Sequence, residues 1–158
     1  MDAALDLNWA ATADAVICCE VIEHVADTAS FVSSLAALAK PGGLIIMTGL
    51  CGGGFDIKVL GEHSKAVSPP HHLNFLSQLG VGKLIDRTGL HLVSFTTPGE
   101  LDVDIVCNTL HENNDIQIAP FLRELIQDGD DALRENFQKF LKENQLSSHM
   151  WIIARKPD

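Results

Sequence analysis

The sequence contains no tyrosine, and aromatic residues make up only 6% of its 158 residues. Basic side chains are also scarce: 11 Lys and Arg stand against 21 Asp and Glu, and the formal net charge is -10. So few aromatic rings argue against a stacking platform for nucleobases, and a strongly negative field repels phosphate backbones and anionic lipid surfaces. We therefore expect neither a nucleic acid nor a membrane as a partner.

Cysteine is sparse, and its spacing fits neither a disulfide framework nor a zinc site. The four cysteines are Cys18, Cys19, Cys51 and Cys107, and none belongs to a CxxC pair. We expect reduced thiols that pack as small hydrophobic side chains. The first residues are acidic rather than basic, and no apolar run is long enough to span a bilayer. These features predict a cytoplasmic protein.

Hydrophobic residues amount to 46% of the chain, and their spacing predicts alternating strands and helices. Short apolar runs predict strands at 14–20, 44–48, 90–96 and 150–154. Helical spacing predicts helices at 28–39, 77–87, 102–110, 120–127 and 133–141. The first helix is predicted to end at Lys40-Pro41-Gly42-Gly43, where glycine would cap it, and Ser77 is predicted to begin the second. The chain is predicted to be a single α/β domain over residues 1–158 with about four strands.

Acidic and histidine side chains directly follow the first predicted strand. Glu20, Glu23 and His24 fall at its carboxyl end, which is where open α/β sheets bind ligands. Two carboxylates and an imidazole can act as an acid–base group or hold a metal, and oxygen ligands favour Mg²⁺ or Mn²⁺ over structural zinc. We predict these three as catalytic residues. A structural interpretation stays open, in which Glu20 caps the next turn and His24 begins the helix.

Other polar and aromatic residues are predicted to be structural. Asp102 and Asp104 occupy the expected position of a solvated helix start, where carboxylates interact favourably with the helix dipole. Trp151 lies in the last apolar run and is predicted to be a core residue. Gly52-Gly53-Gly54 is predicted to be a flexible loop.

Several segments together resemble class I S-adenosylmethionine-dependent methyltransferases. Residues 14–27, centred on Glu20-Val21-Ile22-Glu23-His24, resemble the fourth strand of that fold and its loop, and Lys40-Pro41-Gly42-Gly43-Leu44 resembles the approach to the fifth. Segments 54–56, 69–75 and 147–157 resemble one bacterial branch. The resemblance implies a partial Rossmann-like sheet, mostly parallel with an antiparallel last strand, in the order 14–20, 43–49, 149–154, 90–96. It also implies S-adenosylmethionine as the cofactor.

The sequence departs from this family where the cofactor is normally held. Members begin with a strand and a Gly-rich turn of the GxGxG kind, and an acid after the second strand binds the ribose. Here 13 residues precede the first predicted strand and contain no glycine, and Gly52-Gly53-Gly54 has neither the position nor the spacing. We therefore expect an N-terminally truncated methyltransferase-like domain that does not bind S-adenosylmethionine with useful affinity by itself.

The segment from Glu20 to His24 also resembles the acid-x-x-acid-His segment of metal-dependent members, the small-RNA and ubiquinone-pathway methyltransferases. In those members the segment binds a divalent ion, and in the RNA enzymes a later histidine joins it. The resemblance implies Glu20, Glu23, His24 and either His71 or His72 as ligands of Mg²⁺ or Mn²⁺. It also places the loop with His71 and His72 near the acceptor substrate.

The predicted function is methyl transfer from S-adenosylmethionine to an unidentified acceptor, such as a small molecule, sugar, lipid or protein. Two other functions stay open: a non-catalytic half-domain that acts by association, and a metal-dependent hydrolase that uses the same acidic and histidine residues. Without a preceding half-domain, the apolar strand at 14–20 would form an open sheet edge. We therefore expect a homo-oligomer that associates through this edge.

Overall fold

The computed structural model describes residues 10–158. Its strands are β1 (Ala13–Cys19), β2 (Ala39–Leu50), β3 (His91–Thr96) and β4 (His149–Arg155). Its helices are α1 (Thr28–Leu38), α2 (Phe55–Leu60), α3 (Gln78–Arg87), α4 (Asp102–Glu112), α5 (Pro120–Arg123) and α6 (Asp131–Glu143). Short 3₁₀ turns lie at Ile22–His24 and Gly61–His63, and a π-helical turn at Glu124–Asp128 follows α5. The predicted alternation of strands and helices is confirmed.

The four strands form one mixed sheet in the order β1-β2-β4-β3. Strand β1 runs parallel to β2, and β4 runs antiparallel to both β2 and β3. The predicted strand order and the antiparallel last strand are confirmed. Because β1, β2 and β3 share one direction, their carboxyl ends lie along one edge of the sheet. The first residues of β4 lie at that same edge, so segments from distant parts of the sequence meet there.

The segment Lys40-Pro41-Gly42-Gly43 belongs to β2 and not to the end of α1. Helix α1 ends before it, and the register of β1 with β2 is irregular between Ala13 and Ala15, opposite this segment. Gly42 has φ 72°, a left-handed conformation that favours glycine, and its N–H donates to the Lys156 carbonyl at 3.1 Å. The predicted glycine cap is therefore wrong, because the segment bonds to the chain after β4 and forms a bulge in the strand.

Helices α1 and α3 cover one face of the sheet. Asp27 and Ser77 cap them, and each side chain accepts a backbone N–H in the first turn. Gly89, with φ 70°, follows α3 and ends it, as its sequence position suggested. The core between helices and sheet is fully buried at Val32, Ile45, Met47, Val81, Ile85, Met150, Ile152 and Ala154. Burying each of the larger aliphatic side chains contributes roughly 1.5–3 kcal/mol, so this contact holds the sheet and the two helices together.

The opposite face of the sheet carries exposed apolar side chains. Strand side chains alternate between faces, and the register aligns Ile17, Ile46 and Ile153 across three strands. Ile17, on the edge strand β1, is 67% exposed. Trp151 is 45% exposed on the same side, so its prediction as a core residue is wrong. The apolar run of β4 reflects burial of its alternate residues, and Trp151 is not one of them.

Helices α2, α4 and α6 pack around a second apolar cluster beside the sheet. Its most buried members are Leu60, Val103, Val106, Leu110, Ile126 and Leu141. Cys107 also belongs to this cluster, and all four cysteines of the chain are free thiols, as predicted. Helix α2, from the segment between β2 and β3, and helices α4 and α6, from the segment between β3 and β4, thus form a helical layer with a core of its own.

Asp102 joins this helical layer to the first turn before β4. It is 2% exposed and accepts hydrogen bonds from Gln138 Nε2 at 2.9 Å, Ser147 Oγ at 2.5 Å and the Ser148 N–H at 2.6 Å. The prediction of a solvated Asp102 is wrong, because three donors replace water around the buried carboxylate. Asp104, two residues further along α4, is exposed as predicted.

Candidate active site

The carboxyl end of β1 leads into a tight, partly buried turn. Glu20 ends the strand with φ 52°, a left-handed conformation that few non-glycine residues adopt. The 3₁₀ turn Ile22–His24 follows, with Ile22 1% and Glu23 2% exposed. Burial of Ile22 in the core fixes the turn, and this places Glu23 beneath the surface and His24 at the surface.

Glu23 is a buried carboxylate with one oxygen lacking a partner among the described residues. Its backbone carbonyl accepts hydrogen bonds from the N–H groups of Leu73 at 2.7 Å and Asn74 at 3.1 Å. Its Oε2 is buried and has no hydrogen-bond partner, and a Cβ on Gly49 would lie 2.8 Å from it. Burial raises the pKa of Glu23 above its ordinary value of 4.5, and the neighbouring Glu20 carboxylate raises it further. Such an orphaned oxygen is suited to a cation.

The loop between α2 and α3 folds back onto this turn. Besides the two backbone bonds to Glu23, the Asn74 side chain donates to the carbonyls of Ile22 and Val25. These bonds satisfy the backbone of the 3₁₀ turn and bring the later histidines beside it. Sequence reasoning did not identify Asn74 as the residue that holds the loop in place, although it lies within the 69–75 segment that resembles the family.

His24 and His72 come together, with ring centroids 4.8 Å apart. His24 Nδ1 lies 2.6 Å from the carbonyl oxygen of His71, and His72 Nδ1 lies 2.7 Å from that of Ala66. A carbonyl oxygen only accepts, so each Nδ1 carries the proton and each Nε2 presents its lone pair when the ring is neutral. A carbonyl partner on the other ring nitrogen is the usual arrangement of metal-binding histidines.

Ligand atoms of Glu23, His24 and His72 all lie within 4.8 Å of one another. His71 stands outside this group and contributes only its backbone carbonyl to His24. Of the two histidines that the sequence left open, His72 is the one whose side chain lies beside Glu23 and His24. One carboxylate and two imidazoles can hold a divalent ion, and the buried Glu23 oxygen without a partner fits that use.

Glu20 lies outside the group of Glu23, His24 and His72 and has other partners. Its Oε1 accepts a hydrogen bond from Thr48 Oγ1 at 2.6 Å and lies 3.6 Å from His149 Nδ1. Its backbone N–H donates to the Thr48 carbonyl at 3.1 Å. The spacing of the segment did not separate Glu20 from Glu23, because only the pairing of β1 with β2, and of β2 with β4, brings Thr48 and His149 to the side of Glu20.

In the Gly52-Gly53-Gly54 segment, predicted to be a flexible loop, Gly52 and Gly54 pack closely against other parts of the chain, whereas a Cβ on Gly53 would make only an ordinary contact, 3.7 Å from Cys51 Sγ. A Cβ on Gly52 would lie 2.6 Å from the Phe75 carbonyl oxygen, and one on Gly54 would lie 2.2 Å from Ser148 Cα. These glycines therefore allow close approach between segments of this chain.

Comparison with known proteins identifies the family. A methyltransferase domain model matches residues 2–95, more than half of the chain. The chain belongs to the class I S-adenosylmethionine-dependent methyltransferases. The resemblance inferred from the motifs is therefore confirmed, and the four-stranded mixed sheet with its flanking helices agrees with it. No helix within residues 10–158 is long and apolar enough to cross a membrane.

Two curated relatives are ubiquinone biosynthesis O-methyltransferases. That of Colwellia psychrerythraea is 29% identical over 112 residues, which cover 61% of this chain and 45% of the relative. That of Acinetobacter baylyi is 30% identical over 118 residues, which cover 63% and 49%. The chain thus spans about half the length of the curated relatives it matches.

Solved structures show the same fold at lower identity. Phosphoethanolamine N-methyltransferase 2 of Haemonchus contortus, in complex with S-adenosylmethionine, has a TM-score of 0.55 at 18% identity, with 94% of this chain and 34% of that chain covered. A Thermotoga maritima S-adenosylmethionine-dependent methyltransferase has a TM-score of 0.54 at 13% identity, with 93% and 57% covered. At such identities the likeness concerns the fold alone.

Proposed function

We propose that this chain forms the acceptor side of an S-adenosylmethionine-dependent O-methyltransferase in which Glu23, His24 and His72 hold a divalent cation. The observation that carries the proposal is the convergence of these three side chains at the carboxyl end of β1. One of them, Glu23, is buried and has a carboxylate oxygen, Oε2, with no hydrogen-bond partner among residues 10–158. Family membership supports methyl transfer, and the names of the relatives, which are O-methyltransferases, support an oxygen acceptor.

The burial of the three side chains supports a site in which the protein coordinates the ion from one side only. Glu23 is buried, whereas His24 is exposed and His72 is half-buried. Part of the coordination shell would therefore face solvent or substrate. A divalent ion bound there would supply a Lewis acid that favours the ionised form of an acceptor hydroxyl. The residues of this chain would orient that hydroxyl, and the carbonyl bonds to both Nδ1 atoms would keep the imidazoles in the ligating tautomer.

We further propose that tight cofactor binding needs residues in addition to those described, from the same protein or from another chain. The packing of Gly52 and Gly54 against Phe75 and Ser148 supports this view, because it leaves the described residues without a Gly-rich cofactor turn. A second candidate function, a half-domain that acts by association, is favoured by the exposed Ile17 on the edge strand.

A methyl-transfer assay tests the proposal and separates the two candidates. The purified chain is incubated with catechol, Mg²⁺ and millimolar S-adenosylmethionine labelled in its methyl group, so that even a weak cofactor site is occupied. We expect labelled O-methyl product that EDTA abolishes and added Mg²⁺ restores. Glu23→Gln should abolish it as well, whereas the neighbouring His71→Gln, outside the ligand group, should keep it. Product that is insensitive to EDTA and to Glu23→Gln contradicts the proposal, and no product at all favours the half-domain.

A further inference from the structure

Two motifs that the candidate site does not use, one at the start of α2 and one just before β4, meet in the structure. The Phe55 N–H donates to the Leu146 carbonyl at 2.8 Å. A Cβ on Gly54 would lie 2.2 Å from Ser148 Cα, so the two backbones are in direct contact. Helix α2 is therefore held against the turn that leads into β4.

The same contact closes the base of the segment 51–76. The Cys51 N–H donates to the Ser148 carbonyl at 2.6 Å, and the Gly52 N–H donates to the Leu76 carbonyl at 2.9 Å. The two ends of the segment thus lie together beside the start of β4. Between its ends the segment carries α2 and the histidine loop of the candidate site, so the contact that holds α2 also holds this loop at its base.

Two buried carboxylates lie at this contact. Asp56 on α2 and Asp102 on α4 are each 2% exposed. Ser148 bonds to both, because its N–H donates to Asp102 Oδ1 at 2.6 Å and its side chain hydrogen-bonds with Asp56. No Lys, Arg or His within residues 10–158 forms an ion pair with either carboxylate. Two buried negative charges without a cation are strongly unfavourable, so one of the two groups should be neutral.

Asp56 is the member of the pair that its surroundings support less. The Asp102 carboxylate accepts three hydrogen bonds, from Gln138, Ser147 and Ser148. Asp56 Oδ1 is instead buried without a hydrogen-bond partner in the described part of the chain. Burial raises the pKa of Asp56 above its ordinary value of 3.8, and Asp102 raises it further, although the bond with Ser148 opposes the rise. The nearby Cys51 thiol interacts with Asp102 and with Lys58.

We propose that Asp56 acts as a neutral carboxylic acid that latches α2, and with it the segment 51–76, against the start of β4. When Asp56 gives its proton to water, its charge is buried near that of Asp102. The contact relieves this repulsion by letting α2 move towards solvent. The latch needs neither an ion nor a cofactor and goes beyond the proposed function, and it makes the anchoring of the loop with His72 sensitive to pH.

Hydrogen exchange followed by mass spectrometry between pH 4 and pH 8 tests the latch, in EDTA and with correction for the intrinsic exchange rate. The stability that the Asp56 proton contributes is fully present below the ordinary value of 3.8 and is lost as pH rises through the folded pKa. Helix α2 of the parent should therefore open up to about tenfold more often per pH unit until Asp56 ionises in the folded state. Asp56→Asn keeps the shape of the neutral acid and should remove this rise. Asp104→Asn, at an exposed acid on α4, is the matched control and should keep it.

The ¹³C resonance of the Asp56 carboxyl reports the proton directly. Backbone connectivity assigns this resonance in the parent, so the measurement stands even where Asp56→Asn folds poorly. We expect the Asp56 carboxyl to titrate above the ordinary value of 3.8. Titration at or below that value, or the same pH dependence of α2 exchange in the parent and in folded Asp56→Asn, overturns the proposal. Failure of ion binding or of methyl transfer would leave both results unchanged, so the latch and the proposed function fail separately.

Discussion

Adding Mn²⁺ to the purified chain should stabilise its fold. Glu23 and His24 belong to one turn and His72 to a distant loop, so the three side chains come together only in the folded state. An ion that binds the folded state alone adds RT ln(1 + [L]/Kd), about 2.7 kcal/mol at a hundredfold excess over Kd. For a protein of this size each kcal/mol shifts the melting temperature by about 2–4 °C, so we expect a rise of roughly 5–10 °C.

The stabilisation by Mn²⁺ should increase as the pH rises. Burial raises the pKa of Glu23, so without an ion its carboxyl stays protonated to higher pH in the folded state than in the unfolded chain. The stability that this proton contributes is fully present below the ordinary value of 4.5 and is lost as pH rises through the folded pKa. The ion binds the ionised carboxylate and neutral imidazoles, so the stability that ion binding adds grows as pH rises over the same range. The Mn²⁺-induced shift should therefore be larger at pH 7.5 than at pH 5.

Differential scanning fluorimetry with matched histidine variants measures this effect. His72→Gln removes a ligand and should abolish most of the Mn²⁺-induced shift. His71→Gln changes the adjacent side chain but keeps the backbone carbonyl that bonds to His24, so its shift should equal that of the parent. Equal shifts in the two variants, or a parent shift that does not depend on Mn²⁺ concentration, would refute this reasoning.

Three further predictions follow from the same structure. The isolated chain should not bind S-adenosylmethionine tightly in calorimetry, because the described residues form no Gly-rich cofactor turn; micromolar binding to a monomer would show otherwise. The chain should associate through the edge strand β1, and light scattering should find a species larger than a monomer that Ile17→Lys dissociates; a monomeric parent would contradict this. Gly54→Ala should lower the free energy of unfolding in urea by about 1–3 kcal/mol, because its Cβ would lie 2.2 Å from Ser148 Cα. Gly82→Ala, at a helical site where a Cβ would have nothing within 4 Å, should leave that free energy unchanged or raise it, and equal losses in the two variants would contradict the packing argument.

The sheet could be predicted from the sequence because its determinants are local or belong to the family pattern. Apolar runs marked the strands, Ser77 marked a helix start, and the motif order implied the antiparallel last strand. The Lys40-Pro41-Gly42-Gly43 segment was misread as a helix end, since a glycine pair serves equally well as a cap or a bulge. Its bonds to the chain after β4 decide between the two, and these join residues far apart in sequence.

The residue types of the candidate site could be predicted from the sequence, but not which of these residues lie together. Glu23, His24 and a later histidine do converge, as the resemblance to metal-dependent members implied. Glu20 was grouped with them because sequence distance cannot show that a left-handed residue at the strand end lies against Thr48 and His149. Trp151 was assigned to the core for a similar reason. Alternation along β4 fixes two faces, but only the packed helices show which face is covered.

The central claim is that Glu23, His24 and His72 hold a divalent ion, and anomalous diffraction tests it most directly. Crystals of the chain soaked in Mn²⁺ should show one strong anomalous peak at the manganese edge, within about 2–2.5 Å of a Glu23 carboxylate oxygen and of the Nε2 atoms of both histidines. The peak should be absent from His72→Gln crystals and present in His71→Gln crystals. Fully soaked parent crystals with no peak at this position would contradict the account.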